Sequence, residues 1–168
     1  MAYLVSSSSS TQTINGKTRQ TVANAVEALL KICPQEGYPN GNNGLSETHI
    51  RKCFKTLADC GVSLECIQRG NPSIMGTYTY TVSDNVTDEQ AHKAYEYALS
   101  EVIDYADGIS DDNVWKKWRI LRALEKLNPA AVSIDKRLIV SLNGTPFSKY
   151  ASIEKMLPKI LAVMEKAV

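Results

Sequence analysis

The stretch that most constrains this chain is 111–127, DDNVWKKWRILRALEKL, which holds both tryptophans and the densest run of cations. At about 100° per residue a helix puts Val114, Trp118, Leu121 and Leu124 on one arc, with Ile120 at its edge. That arc is a core face. The opposite arc gathers Lys116, Arg119, Arg122 and Lys126, and Trp115 falls among these cations instead of with the apolar residues. One indole is placed to pack and the other to meet a partner.

Around this stretch the periodicity predicts further helices. Val22, Val26, Leu29, Leu30 and Cys33 form the apolar stripe of an amphipathic helix over 17–33. The stretch 34–44, PQEGYPNGNNG, cannot continue it and reads as an exposed loop. Ser46 is a candidate N-cap, with Leu45 and Ile50 placed as a hydrophobic staple. Ile50, Cys53, Phe54, Leu57 and Cys60 give that second helix its buried face, Arg51, Lys52 and Lys55 its outer face, and Gly61 its end.

Two β-rich segments follow, 62–68 and 76–83, the second alternating as Thr77, Tyr78, Thr79, Tyr80, Thr81. They predict a hairpin. Thr87 with Gln90 matches a capping box at the head of an acidic helix running to Asp107, with Gly108 after it. Ser110 is the expected cap of the basic helix, with Asp111 and Asp112 suiting the positive end of its dipole. The segment 137–142, RLIVSL, predicts a short strand closed by Asn143-Gly144, and Ser148 or Ser152 a last helix that Pro158 kinks or restarts.

The expected fold is therefore α+β and predominantly helical: about five helices, a β-hairpin and one further short strand. Residues 1–16, with five consecutive serines and no charged side chain, read as a flexible arm. Residues 17–168 read as a single helical domain, divisible into sub-lobes 17–86 and 87–168. A chain of 168 residues is long enough to bury such a core.

Chemistry is weighed against this frame. His49, Cys53 and Cys60 share a stripe, but the cysteine gaps of twenty, seven and six residues lack the close pairs of a zinc site, so no metal is expected. His92, with Asp88 and Glu96 one turn away on either side, has no nucleophile beside it. The glycines of 39–44 lack the lysine of a phosphate loop. No catalytic residue and no cofactor is expected, and the chain reads as a non-enzyme. The start MAYLVSSSSS lacks the pattern of a secretory signal, which places the thiols in a reducing, intracellular setting, or in a virion for a viral coat subunit. No run approaches the roughly 18 apolar residues of a membrane span.

The formal net charge is only +1, so any anionic partner must be met by a local patch. Lys116, Arg119, Arg122 and Lys126 line one side of a helix as a phosphate backbone requires, Trp115 offers a stacking ring, and Arg51, Lys52 and Lys55 extend the patch. Glu96, Glu101 and Asp104 on the acidic helix are candidates to meet the basic helix of another copy. The expected function is a nucleic-acid-binding structural protein that assembles with itself, a nucleocapsid or filament coat subunit whose partners are a single strand and its own copies. The alternative is a protein-protein adaptor or regulatory module without nucleic acid.

Overall fold

The structure, a computed structural model, describes residues 2–5, 14–37, 43–67 and 77–167. It is α+β and predominantly helical, with five α-helices and three small antiparallel sheets among those residues. The centre is α1 (Lys17–Lys31), packed against α3 (Asp88–Tyr105) on one side and α4 (Val114–Leu127) on another. The apolar stripe expected of α1 is buried, and so is every residue from Val22 to Leu30, including Asn24 and Glu27. Three alanines in the helix, Ala23, Ala25 and Ala28, let the neighbouring elements approach it closely. An amphipathic helix with one apolar stripe was expected; one buried all round over 22–30 is found.

A carboxylate in that position needs a donor. Tyr80 supplies it, its hydroxyl donating to Glu27 Oε1 at 2.7 Å. Burial, and then the Glu27 charge, push the Tyr80 hydroxyl far up, so it stays protonated and able to donate. Tyr80 belongs to the first sheet, ordered β1 (Tyr3–Leu4), β5 (Thr77–Val82), β4 (Val62–Ile67). The β4–β5 hairpin runs from Val62↔Val82 to Ile67↔Thr77, as the alternation predicts. Of the arm expected over 1–16, residues 2–5 lie on the outer edge of β5, where the Tyr3 ring packs 5.5 Å from that of Tyr80. Tyr3, Val5 and Ile14 are buried, which the polar composition of the arm as a whole obscures; the serine run lies outside the described residues.

The segment expected as a plain loop, 34–44, contains a second hairpin, β2 (Gln35–Gly37) with β3 (Asn43–Leu45). It feeds α2 (Glu47–Leu57), whose first turn is capped by Ser46 Oγ accepting from the His49 N–H. A 3₁₀ turn (Ala58–Cys60) closes α2 at Gly61, where φ is +86° and a Cβ would stand 3.0 Å from Val86 Cγ2. Only glycine fits there without strain. The capping box of α3 is reciprocal: Thr87 Oγ1 accepts from the Gln90 N–H and Gln90 Oε1 from the Thr87 N–H.

The head of α4 differs from expectation. Asn113, not Ser110, is the cap, accepting from the Lys116 N–H at 3.1 Å, and Val114 is 58% exposed instead of facing the core. Burial on α4 begins a turn later, at Ile120, Leu121, Ala123, Leu124 and Leu127, with Trp118 half-buried. Asp111 does not serve the α4 dipole. It ties to α5 (Ile153–Lys166): its carboxylate accepts from the Ile153 N–H at 2.9 Å and pairs with Lys117 at 3.1 Å, while Glu154 accepts from the Asp111 N–H.

That tie has a pH signature. The Ile153 N–H first, and Lys117 second, hold the Asp111 carboxyl below the usual carboxylate range. With the folded value below the unfolded one, its stabilisation is complete at neutral pH and is lost as pH falls through the folded value. Asp111→Asn is expected to melt below the wild type at pH 7, with the gap closing below about pH 3. Thermal melts at both pH values check this, and a gap that persists in acid contradicts it.

Between α4 and α5 lies the third sheet, β6 (Val132–Ile134), β7 (Val140–Leu142) and β8 (Thr145–Pro146). Asn143 and Gly144, with φ of +50° and +84°, make the tight turn their sequence predicts. Ser152 caps α5, which runs through Pro158 to Lys166 as one helix. The apolar residues of all these elements form one core. The boundary at 86/87 does not divide it, since α1 from the first half is packed against α3 and α4 from the second. Among the described residues no helix is long and apolar enough to cross a membrane.

Candidate nucleic-acid interface

The site is built from the C-terminal end of α1 upward. A helix end leaves carbonyls without intrahelical partners, and here Arg119 of α4 takes them. Its Nε donates to the Lys31 carbonyl at 2.8 Å, one terminal nitrogen donates to the Cys33 carbonyl, and the other to Tyr105 Oη at 3.2 Å. The guanidinium is thereby fixed with its Cζ 4.6 Å from the centroid of the Trp115 ring, one turn back on α4. Trp115 is 62% exposed. Arg119 therefore braces an outward indole, and its hydrogen bonds are directed into the chain.

The other expected phosphate contacts divide. Lys116 stands 4.8 Å over the Tyr105 ring, at the edge of the same surface. Arg122 pairs with Glu125 at 3.1 Å, and the other oxygen of Glu125 accepts from the Ile134 N–H, which leaves that guanidinium partly neutralised but at the surface. Lys126 lies close enough to Lys31 that, after burial, it is the main cause holding the Lys31 ammonium below its ordinary range, with Arg122 adding to it and Glu27 opposing it. Like charges have been brought together here. Arg51, Lys52 and Lys55 are exposed on α2, but Arg51 lies over the Tyr78 ring of β5 and donates to its hydroxyl, on the sheet side.

A groove of about 300 Å³ runs beside the indole, lined by Lys31, Gln35, Trp115, Trp118, Arg119 and Arg122. Lys31 and Gln35 were not singled out in the sequence. They come from α1 and β2, and the packing of α1 on α4, closed at its end by the Arg119 bridge, brings them to the indole. Trp118 also borders a second, small cavity shared with Lys117, Leu138 and Lys149. Lys117 sits 5.5 Å over the Trp118 ring, and Lys149 5.0 Å over Tyr150, itself 84% exposed. Cations and rings thus alternate from Tyr105 across α4 to Trp118, and the Lys149–Tyr150 pair stands apart from them, before α5 and outside the Trp115 groove. The tyrosines escape the helical pattern that exposes Trp115, because they sit on other elements.

The acidic candidates on α3 differ in their surroundings. Glu96 pairs with His92 at 3.0 Å, Asp104 is exposed, and Glu101 is half-buried beside Cys53 and Tyr97. Burial pushes the thiols up, Cys33 to about 11, so these are poor nucleophiles and ligands at neutral pH. Among the described residues no group of three or more His, Cys, Asp or Glu is placed to hold a metal ion. Another groove, about 700 Å³ between α1 and α3, has several of its polar lining groups engaged within the chain: Gln20 donates to Asn24, Asn128 to Tyr95, and Tyr95 to the Met164 carbonyl. Comparison with protein-family models, with curated proteins and with solved structures finds no match.

Proposed function

We propose that this chain is a non-enzymatic structural protein that binds single-stranded nucleic acid across the α4 face and assembles with its own copies, as a nucleocapsid or coat subunit does. The observation that carries the reading is the Trp115 indole, held outward and largely exposed beside the Arg119 guanidinium. An unpaired base can stack on such a ring, whereas a base inside a duplex cannot reach it. Lys31, Lys116, Arg122 and Lys126 around the groove supply the positive field that a phosphate backbone needs. The net charge of +1 lets copies pack without mutual repulsion. The compartment that follows is intracellular, or the virion.

The adaptor reading has one observation in its favour: Arg119 and Arg122 are engaged within the chain, which leaves an aromatic-centred surface suited to a protein partner. Titration with a 20-nucleotide oligo(dT) separates the two. Tryptophan fluorescence is expected to quench, and log affinity to fall with log salt at a slope of roughly −2 to −3, from three or four phosphates at about 0.7 each. A flat response at low salt rejects nucleic-acid binding and leaves the adaptor.

A further inference from the structure

We propose a head-to-tail contact between copies, in which a basic, ring-bearing knob at the N-terminal end of α5 seats in an acidic groove at its C-terminal end. The proposal rests on the self-assembling half of the function above. It goes further in naming both surfaces, and it leaves the Trp115 groove free for the strand.

The knob is made of Leu138 and Tyr150. They are 49% and 84% exposed, two of the four large apolar side chains exposed among the described residues. Both are held by rigid turns. Asp135 Oδ1 accepts from the Arg137 and Ile139 N–H groups at 2.8 and 2.9 Å, and Leu138 is fixed at φ +63°, a left-handed conformation that strains a leucine. Ser148 Oγ likewise accepts from the Tyr150 N–H at 3.2 Å. A strained and preordered apolar tip loses little entropy when it is covered. Its rim is positive, with Lys136, Arg137 and Lys149 exposed, while the Asp135 carboxylate is turned to the backbone.

The groove is about 320 Å³, with Leu99 and Ile103 of α3 at its base and Glu96 and Glu165 at its edges. His92 answers Glu96, so Glu165 carries the uncompensated charge on the α5 side. Shape class and charge sign are both complementary to the knob. The two surfaces are separated by α5 itself, whose 14 residues span about 20 Å. Surfaces at opposite ends of one rod cannot satisfy each other within a monomer, and two copies satisfy both at once only when their rods lie antiparallel about a two-fold axis. Joined end to end, as proposed, a pair leaves one knob and one groove open, so the contact is heterologous and propagates into a ring or a filament.

Sedimentation velocity without nucleic acid, over roughly 5–200 µM, tests this. The wild type is expected to grow past the dimer with concentration, whereas Tyr150→Ala and Glu165→Lys each stay monomeric, with circular dichroism checking that these exposed positions leave the fold intact. Lys149→Glu alone is expected to be monomeric as well, and equal mixing of Lys149→Glu with Glu165→Lys to restore growth, since each mixed knob and groove is again of opposite sign. A monomeric wild type, a closed dimer indifferent to these variants, or a mixture that stays monomeric overturns the proposal. The oligo(dT) titration is run on the Tyr150→Ala variant: unchanged affinity fits, and lost affinity with intact self-association makes the knob a strand contact and overturns the proposal. Failure of the wild-type titration with assembly intact removes the nucleic-acid reading alone.

Discussion

Trp115→Ala is expected to weaken binding of a 20-nucleotide single strand by about 5- to 150-fold, the loss that corresponds to one stacked base at roughly 1–3 kcal/mol. The indole is exposed and fills no part of the core, so thermal stability should fall by no more than about 1 kcal/mol, the worth of its contact with the Arg119 guanidinium. Trp115→Phe should recover part of the affinity, because a smaller ring still stacks. Fluorescence anisotropy with labelled RNA and DNA strands measures all three proteins, and equal affinities for wild type and Trp115→Ala would sink the stacking role outright. Salt should weaken each of them with nearly the same slope, since the substitution removes no phosphate contact.

Arg119→Ala is expected to do the reverse, costing about 2–4 kcal/mol of stability. A charged group that donates to the Lys31 and Cys33 carbonyls and to Tyr105 closes the end of the central helix, and single hydrogen bonds to charged groups are worth about 1.5–3 kcal/mol. Arg119→Lys should recover little of this, because an ammonium on a flexible stem cannot span three acceptors in one plane. Urea unfolding with an unchanged m-value reads the loss. Stability within about 0.5 kcal/mol of wild type, with affinity gone, would instead make Arg119 a direct contact to phosphate.

These two neighbours on one helix illustrate how far residue order carries. Helical spacing places Trp115 apart from the core face, and it is exposed; the same spacing groups Arg119 with the surface cations, but its guanidinium turns inward to an element 86 residues away in sequence. A local period cannot see the end of another helix. Caps were legible at Ser46 and Thr87 because the acceptor and the N–H it serves lie three residues apart. At the head of α4 several polar residues in a row offered equal choices, and contact with α5 claimed Asp111 and left Asn113 as the cap. The 34–44 segment read as a loop because its glycines and prolines outweighed six strand residues; pairing between them, not propensity, makes that hairpin. The knob was missed for a related reason: Leu138 and the 148–149 turn that precedes α5 border one cavity only after the third sheet folds.

The wrapping of α1 bears on how the molecule opens. Residues 22–30 touch no solvent to speak of, and their walls come from both halves of the chain. No fraying motion at an edge can bare that segment; two helices and a sheet must part together. Exchange of its backbone protons with heavy water therefore follows the unfolding of the entire protein, while the short, exposed ladder of 35–37 with 43–45 is free to open separately.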